Sequence, residues 1–402
     1  MSRRYRVRVC GPLEGFAEGF RVELAGSGYA WCSVEAQIGL MKHLSGWLGS
    51  QGLTADDLTT QVTARFLDAR RQSHSFLRSP KALIPLLDYL RGLGAAPMAP
   101  ADSATTPAQV VEQRFARYLS TQRCLAPQTV GSYRCQVRPF LARHARADGG
   151  WALTARQVTD FITDRSVGQR PRSVAVGANA LRALLRWMWL EQIVASELAD
   201  AVGSVAAPTG TTVPRALSAG QVADLFTALP AAGPVRLRNE AMLALMYRLA
   251  LRAGEVASLR LEDIDWRAGV LTVRGKGARY DQLPLPADVG NLVAAYLRHG
   301  RPVATAHRQV FLGVDAPHHP LAGSAVSSVA SRALARAGIA GPGAAHRLRH
   351  TAACGVLAAG GGLVEAGELL RHASSAATAV YAKCDLTTLT TLARPWPVGG
   401  TR

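Results

Sequence analysis

The apolar positions follow two different periods along the chain, and the change between them marks its parts. From 108 to 204 the spacing is helical throughout. Val111, Phe115, Tyr118 and Leu119 recur at intervals of one helical turn, as do Val130, Tyr133, Val137, Phe140 and Leu141, which puts each set on one face of a helix. Thr129 and Thr154 read as N-caps, the second ahead of Val158, Phe161 and Ile162. A fourth helix carries Leu181, Leu184, Leu185, Met188 and Trp189. Beyond 214 the pattern is mixed. Ser218 reads as a cap before Val222, Leu225 and Phe226, and a long helix is predicted over 239–251. The run Val270, Leu271, Thr272, Val273, then Gly275, Lys276, Gly277 and 279–285, predicts a hairpin with a tight turn. Helices are expected again over 323–337, 348–359 and 363–370. The first hundred residues predict strands over 4–9 and 20–24. Ser33 then caps a helix with Val34, Ile38, Met41, Leu44 and Leu48 inward, and a second helix follows Thr54.

Two stretches rich in Pro, Ala, Gly and Thr and free of aromatic residues, 92–107 and 205–214, match linker composition. They divide the chain into 1–100, 108–204 and 214–396. A length of 402 residues agrees with two or three domains.

Charge narrows the class of partner. The formal net charge is +18, and a surplus of that size favours a polyanion through counterion release. Nucleic acid fits better than a membrane surface, because no isolated basic amphipathic segment stands out. No apolar run is long enough to span a bilayer, and the basic N-terminus is not followed by the apolar stretch of a signal peptide. The six cysteines form no CxxC and no zinc-spaced Cys/His cluster; they read as small buried residues of a reduced, cytoplasmic protein. Lys42, Lys81, Lys276 and Lys383 are the lysines, every other basic side chain being arginine. A lysine at a tight turn is therefore notable. The arginines near the fourth helix, Arg170, Arg172, Arg182 and Arg186, suit phosphate contact and a solvated face equally.

Four short motifs follow in order within the last part: Leu251-Arg252-Ala253-Gly254-Glu255-Val256 with Leu259 and Asp263-Ile264; the Gly275-Lys276-Gly277 turn; His346-Arg347-Leu348-Arg349-His350-Thr351; and Leu370-Arg371-His372, nine residues before Tyr381. Singly, each is what an ordinary surface or core residue would also produce. Together, two arginines, a lysine and two histidines suit a pentavalent phosphate with charge on its equatorial oxygens. A tyrosine oxygen attacks phosphorus and leaves again, its pKa near 10 making both steps feasible. No acidic cluster suggests a Mg²⁺ site. The set fits covalent transfer of a DNA phosphodiester without metal or cofactor.

The order Arg…Lys…His-x-x-Arg…His…Tyr is similar to that of the tyrosine recombinases, the phage integrase (lambda integrase-like) family. The resemblance runs by motif from Leu217 to about Leu392 and more loosely over 108–204. It implies a multidomain, mainly α protein: a helical, SAM-like core-binding domain, and a mixed α/β catalytic domain with a small antiparallel sheet. By the same resemblance Arg252 and Arg349 bind the scissile phosphate and Lys276 is the general acid. His346 assists proton transfer, His372 hydrogen-bonds the phosphate, and Tyr381 forms a 3′-phosphotyrosyl link. Glu255 and His350 support them. The implied partner is double-stranded DNA, gripped by a homotetramer on two paired sites, in the cytoplasm of a bacterium at its nucleoid.

Two positions depart from the family pattern. Arg371 stands where the family often has glycine, and the strand after the lysine turn reads Tyr280-Asp281-Gln282-Leu283-Pro284-Leu285, where the family often places an arginine. A tail with Leu386, Leu389 and Leu392 packs either on a neighbouring subunit or on its own domain. Two rival readings are a type IB topoisomerase and a DNA-binding protein that kept the fold without the chemistry. The complete six-residue set disfavours the second.

Overall fold

The computed structural model describes residues 7–98, 106–146, 148–206, 215–275, 279–303, 305–372, 375–384 and 390. They fall into two compact units, Met1–Ala99 with Thr212–Arg402, and Pro100–Thr211.

The first unit opens with helices α1 (Ala17–Gly26), α2 (Trp31–Ser50), α3 (Thr60–Ser73) and α4 (Pro80–Gly92). Phe20, Leu24, Ile38, Met41, Leu44, Leu48, Phe66 and Leu86 fill the core they share. The strand expected over 20–24 is instead the middle of α1. Phe20 and Leu24 are one helical turn apart and both buried, an arrangement a short apolar run permits as readily as a strand. Of 4–9, residues 7–9 lie in no strand and 4–6 lie outside the described residues. Ser33 sits inside α2, which starts after Ala30. Thr54 caps only a short 3₁₀ turn, Ala55–Asp57, through Asp57, and α3 is capped by Thr59.

The second unit is α5 (Pro107–Thr121), α6 (Pro127–His144), α7 (Ala155–Ser166) and α8 (Pro171–Leu190). Phe115, Val137, Phe140, Phe161, Leu181, Leu184, Leu185 and Met188 meet in its core. Thr154 caps α7, as the sequence predicts, and Gln157 bonds back to complete the cap. Thr129 does not cap α6, which begins at Pro127, where the ring's fixed φ starts the first turn. On α8 the inward tryptophan is Trp187, 2% exposed, whereas Trp189 is 42% exposed; Trp187 shares the phase of Leu184. Arg182 is committed internally, to the carbonyls of Val202 and Gly203, while Arg170, Arg172 and Arg186 are exposed.

The rest of the first unit runs α9 (Ala219–Thr227), α10 (Pro234–Arg248), α11 (Ala253–Ser258), β1 (Ile264–Asp265), β2 (Val270–Arg274), β3 (Tyr280–Pro284), α12 (Ala287–His299), α13 (Gly323–Arg336), α14 (Ala344–Ala358), α15 (Leu363–Leu370) and α16 (Ser375–Thr378). Ser218 caps α9 as predicted, and Gln221 completes the cap. The three strands form one antiparallel sheet in the order β1-β2-β3, with Leu271 opposite both Ile264 and Leu283. Leu271 and Val273 point into a core shared with Met242, Leu245, Val256, Val293, Phe311 and Leu348. This is the expected class, a helical unit beside a mixed α/β part with a small sheet. α10 stops at Arg248, short of the predicted 251, because Ala250 turns left-handed at φ 49°. α14 starts four residues earlier than predicted, after Gly343 at φ 76°. Among the described residues no helix is long and apolar enough to cross a membrane. The cysteine expectation is corrected: Cys10, Cys32, Cys124 and Cys135 are exposed and Cys354 is half-buried. Each follows the face its position occupies rather than the habit of its residue type. The tail leucines 386, 389 and 392 lie outside the described residues.

Candidate active site

The helical period sorts the motif His346–Thr351 into three faces. Leu348 is fully buried in the core. Arg347 anchors the helix to the loop that precedes it, and Thr351 anchors it to the start of this part of the chain. Arg347 donates to the Ala340 carbonyl at 2.9 Å, and the Thr351 hydroxyl accepts the Leu217 N–H at 2.8 Å. His346, Arg349 and His350 share the remaining face, His346 and His350 lying 6.2 Å apart between ring centroids. Helix geometry alone thus presents two imidazoles and a guanidinium together.

Three other segments converge on that face. The chain leaves α10 through Ala250 and reaches Arg252, the N-cap of α11. There the Arg252 N–H donates to Glu255 Oε2 at 2.8 Å and its guanidinium to Oε1 at 2.6 Å. Glu255 is buried, whereas the Arg252 side chain is 40% exposed and open to a ligand. Arg349 is buried and donates through its two η nitrogens to the carbonyls of Ala250 and Leu370. After α15 the chain turns through Arg371 to His372, whose Nδ1 is 2.9 Å from the Thr378 hydroxyl. Tyr381 lies on the 3₁₀ turn Ala379–Cys384, 2% exposed, its ring packed with Ala250, Ala353, Leu357, Ala366 and Leu370. Its hydroxyl is 2.6 Å from His350 Nδ1.

Five of the six predicted residues are therefore brought together: Arg252, His346, Arg349, His372 and Tyr381. Lys276 lies outside the described residues; the flanking Gly275 N–H donates to the Arg279 carbonyl at 2.8 Å, closing the hairpin. Sequence reasoning missed Thr378 and the partners of Arg371, described below. Thr378 stands in the quoted Tyr381 motif, but nothing in its spacing ties it to His372.

Burial and neighbouring cations dominate the electrostatics of this cluster. Burial, then the charges of Arg252 and Arg371, push Arg349 down to about 10. Burial, then Arg349 and Arg252, push His372 down to about 4. His346 is lowered by burial and the same arginines, and His350 by burial, His346 and Arg349. Burial alone would raise the Glu255 carboxyl, but the Arg252 N–H and the guanidiniums of Arg371 and Arg252 outweigh it and hold the carboxyl below its usual value. Cations crowd one another here, Arg252 and Arg371 both acting on the buried Arg349.

A pH dependence follows. The unfolded chain titrates histidine near 6.5 and binds more protons than the folded one between there and about 4. The histidine contribution to stability is complete above pH 6.5 and is lost as pH falls toward 4. We expect the urea midpoint to decline across that window, and His372→Asn to flatten the decline. An unchanged slope in that variant would show that His372 does not carry the shift.

Comparison with known proteins places the chain in a family. The phage integrase family model matches residues 215–387, and the model of the phage integrase N-terminal SAM-like domain matches 113–192. The chain is 36% identical over 393 residues to the putative integrase/recombinase y4rA of Sinorhizobium fredii, covering 96% of this chain and 95% of that protein. It is 30% identical over 284 residues to the tyrosine recombinase XerD of Mycobacterium tuberculosis, covering 67% and 91%. Among solved structures, the XerH site-specific recombinase bound to a palindromic difH substrate superposes with TM-score 0.56 at 17% identity, over 82% of this chain and 93% of that one. A lambda integrase dimer bound to a COC′ core site gives 0.51 at 16%, over 73% and 80%. These two show the shared fold. From its motifs, its site geometry and the extent of these matches, the chain belongs to the phage integrase family, the tyrosine-type site-specific DNA recombinases.

Proposed function

We propose that this chain cuts and rejoins duplex DNA by two successive transesterifications at each strand, with Tyr381 as nucleophile. The Tyr381 oxygen attacks phosphorus, the bond to the 5′-oxygen breaks, and a 3′-phosphotyrosyl link forms. The leaving 5′-oxygen takes a proton from Lys276, with His346 assisting. The phenolic proton passes to His350, which is hydrogen-bonded to it and held neutral by burial. Arg252 and Arg349 grip the non-bridging oxygens and His372 hydrogen-bonds the phosphate. Attack by the 5′-hydroxyl of a partner strand reverses the steps, so the phosphodiester bond energy is conserved in the protein link. Because Tyr381 is buried against α14 and α15, DNA docking must expose it before attack.

The observation that carries this reading is the gathering of two guanidiniums and three imidazoles around one buried phenol. We further propose that residues 108–204 bind the core DNA and 214–396 perform the chemistry. Residues 1–100 would form an accessory domain, and four copies would act on two paired sites in a bacterial cytoplasm, at the nucleoid. The test is a nicked duplex carrying inverted repeats from DNA flanking the gene, in the presence of a chelator. We expect a protein–DNA adduct that survives denaturation, joined through a 3′-phosphate, and release of a 5′-hydroxyl. Tight binding without any adduct under conditions that assemble a tetramer would favour a DNA-binding protein without the chemistry. Supercoil relaxation by monomers with no recombinant product would favour a topoisomerase.

A further inference from the structure

Arg371 occupies a backbone position that disfavours any side chain. It is the left-handed residue after α15, at φ 51° and ψ 51°. Its N–H donates to the Glu368 carbonyl at 2.9 Å, and the His372 N–H donates to the Gly367 carbonyl at 3.1 Å. This pair of bonds closes a helix end where glycine is usual. The side chain is 7% exposed; both η nitrogens are hydrogen-bonded, whereas the buried Nε makes no hydrogen bond. One η nitrogen donates to Glu255 Oε2 at 2.5 Å, and the other to the carbonyls of Leu249 and Leu369 at 3.3 and 3.2 Å. Its Nε faces Asp281 Oδ2 at 3.7 Å. Asp281 lies on β3 opposite Val273 of β2. Arg371, one departure from the family pattern, thus faces the strand 280–285 that carries the other.

Glu255 is the shared element. Its Oε1 holds the Arg252 guanidinium, while Oε2 takes the Arg252 N–H and Arg371. A carboxylate held by Arg252 alone is free to swing with it. One held from two sides has its plane set, and the exposed part of Arg252 is aimed with it.

We propose that Arg371 is a positioning residue for Arg252: it clamps the shared Glu255 carboxylate and braces it to strand β3 through Asp281. The proposal rests on the reading of Arg252 as a phosphate ligand. Loss of the clamp acts on the rate of the chemical step rather than on DNA affinity, because the η nitrogens of Arg371 are spent on Glu255 and two backbone carbonyls.

The experiment is single-turnover cleavage of a nicked duplex beside DNA-binding titrations, for the parent protein, R371G, R371K, D281N and R252A. Each is assayed on a phosphodiester and on a methylphosphonate at the cut site. The methyl group replaces a charged non-bridging oxygen and reduces the need for a guanidinium. R371G is expected to cleave the phosphodiester roughly 10- to 100-fold more slowly with DNA affinity unchanged. R371K should recover part of the rate and D281N should lose less. On the methylphosphonate, the deficits of R252A and R371G should both shrink. The proposal is overturned if R371G cleaves at the parent rate, or if R252A is rescued by the methylphosphonate and R371G is not. Should R371G fail to fold, R371K on the two linkages decides by the same criterion. Parent-like cleavage by R252A itself would instead remove the reading of Arg252, and this proposal with it.

Discussion

A Tyr381→Phe protein will bind duplex DNA like its parent and form no covalent adduct with a nicked site. The substitution deletes one oxygen. The ring keeps its place among Ala250, Ala353, Leu357, Ala366 and Leu370, so the fold has little reason to change. What is lost in the free protein is the hydrogen bond to His350 Nδ1 at 2.6 Å, worth about 0.5–1.5 kcal/mol. What is lost in the reaction is the nucleophile, and removal of an activated nucleophile lowers a rate by a factor on the order of 10⁴–10⁶. The measurement is adduct formation on a nicked duplex, resolved under denaturing conditions, with thermal unfolding as the control for folding. An adduct that persists in the phenylalanine protein would mean that another group attacks the phosphorus, and the assignment of Tyr381 would be withdrawn.

The second large effect is expected at Arg349, where structure and chemistry are joined. Its guanidinium ties the carbonyl of Ala250 to that of Leu370. Both sit at left-handed turns, Ala250 itself at φ 49° and Arg371, directly after Leu370, at φ 51°. These turns deliver Arg252 and His372 to the site. In Arg349→Ala two buried carbonyls lose a charged donor, a cost of about 1.5–3 kcal/mol for each bond. Part of this is offset, because the crowding of Arg252 and Arg371 around a buried Arg349 is also relieved. The net loss in a urea titration should be about 2–4 kcal/mol. Cleavage, measured at a temperature where the variant is folded, should fall by a factor on the order of 10³–10⁵, since a guanidinium gripping a transferring phosphoryl group is worth that much. Arg349→Lys separates the two roles. An ammonium keeps the charge but lacks the planar fork that spans two acceptors, so stability should recover in part while cleavage stays at least about tenfold slow. Cleavage by Arg349→Ala within tenfold of the parent would confine Arg349 to a structural role.

Much of this protein was legible from short windows of sequence. The Ser218 and Thr154 caps, the β2–β3 hairpin and the helix over Leu363–Leu370 all appear as predicted. Each depends on interactions within about one helical turn or across one tight turn. The grouping of His346, Arg349 and His350 on one face of α14 follows from the 3.6-residue period. The order of the reactive residues was also readable, because a shared chemistry had stamped it on the chain. The misses have one physical origin. Whether 20–24 is helix or strand depends on what it packs against, and Phe20 and Leu24 pack as a helix on α2 and α4. Exposure of Cys32 and Cys135 depends on which face of α2 and α6 meets a neighbour.

The clearest case is Arg371. The resemblance marked it as standing where the family often has glycine, and a left-handed backbone at φ 51° does disfavour a side chain there. Its reason for being there is a carboxylate 116 residues away, Glu255, together with Asp281 on β3. The residue types and their helical phase decide which chemistry the chain carries and which side chains share a face. The partners of the buried charges are decided by how α11 and the hairpin pack on one core while α15 packs on α14 in another cluster. Desolvated ions must find counter-charges wherever the packing brings them, and no window of sequence spans that distance.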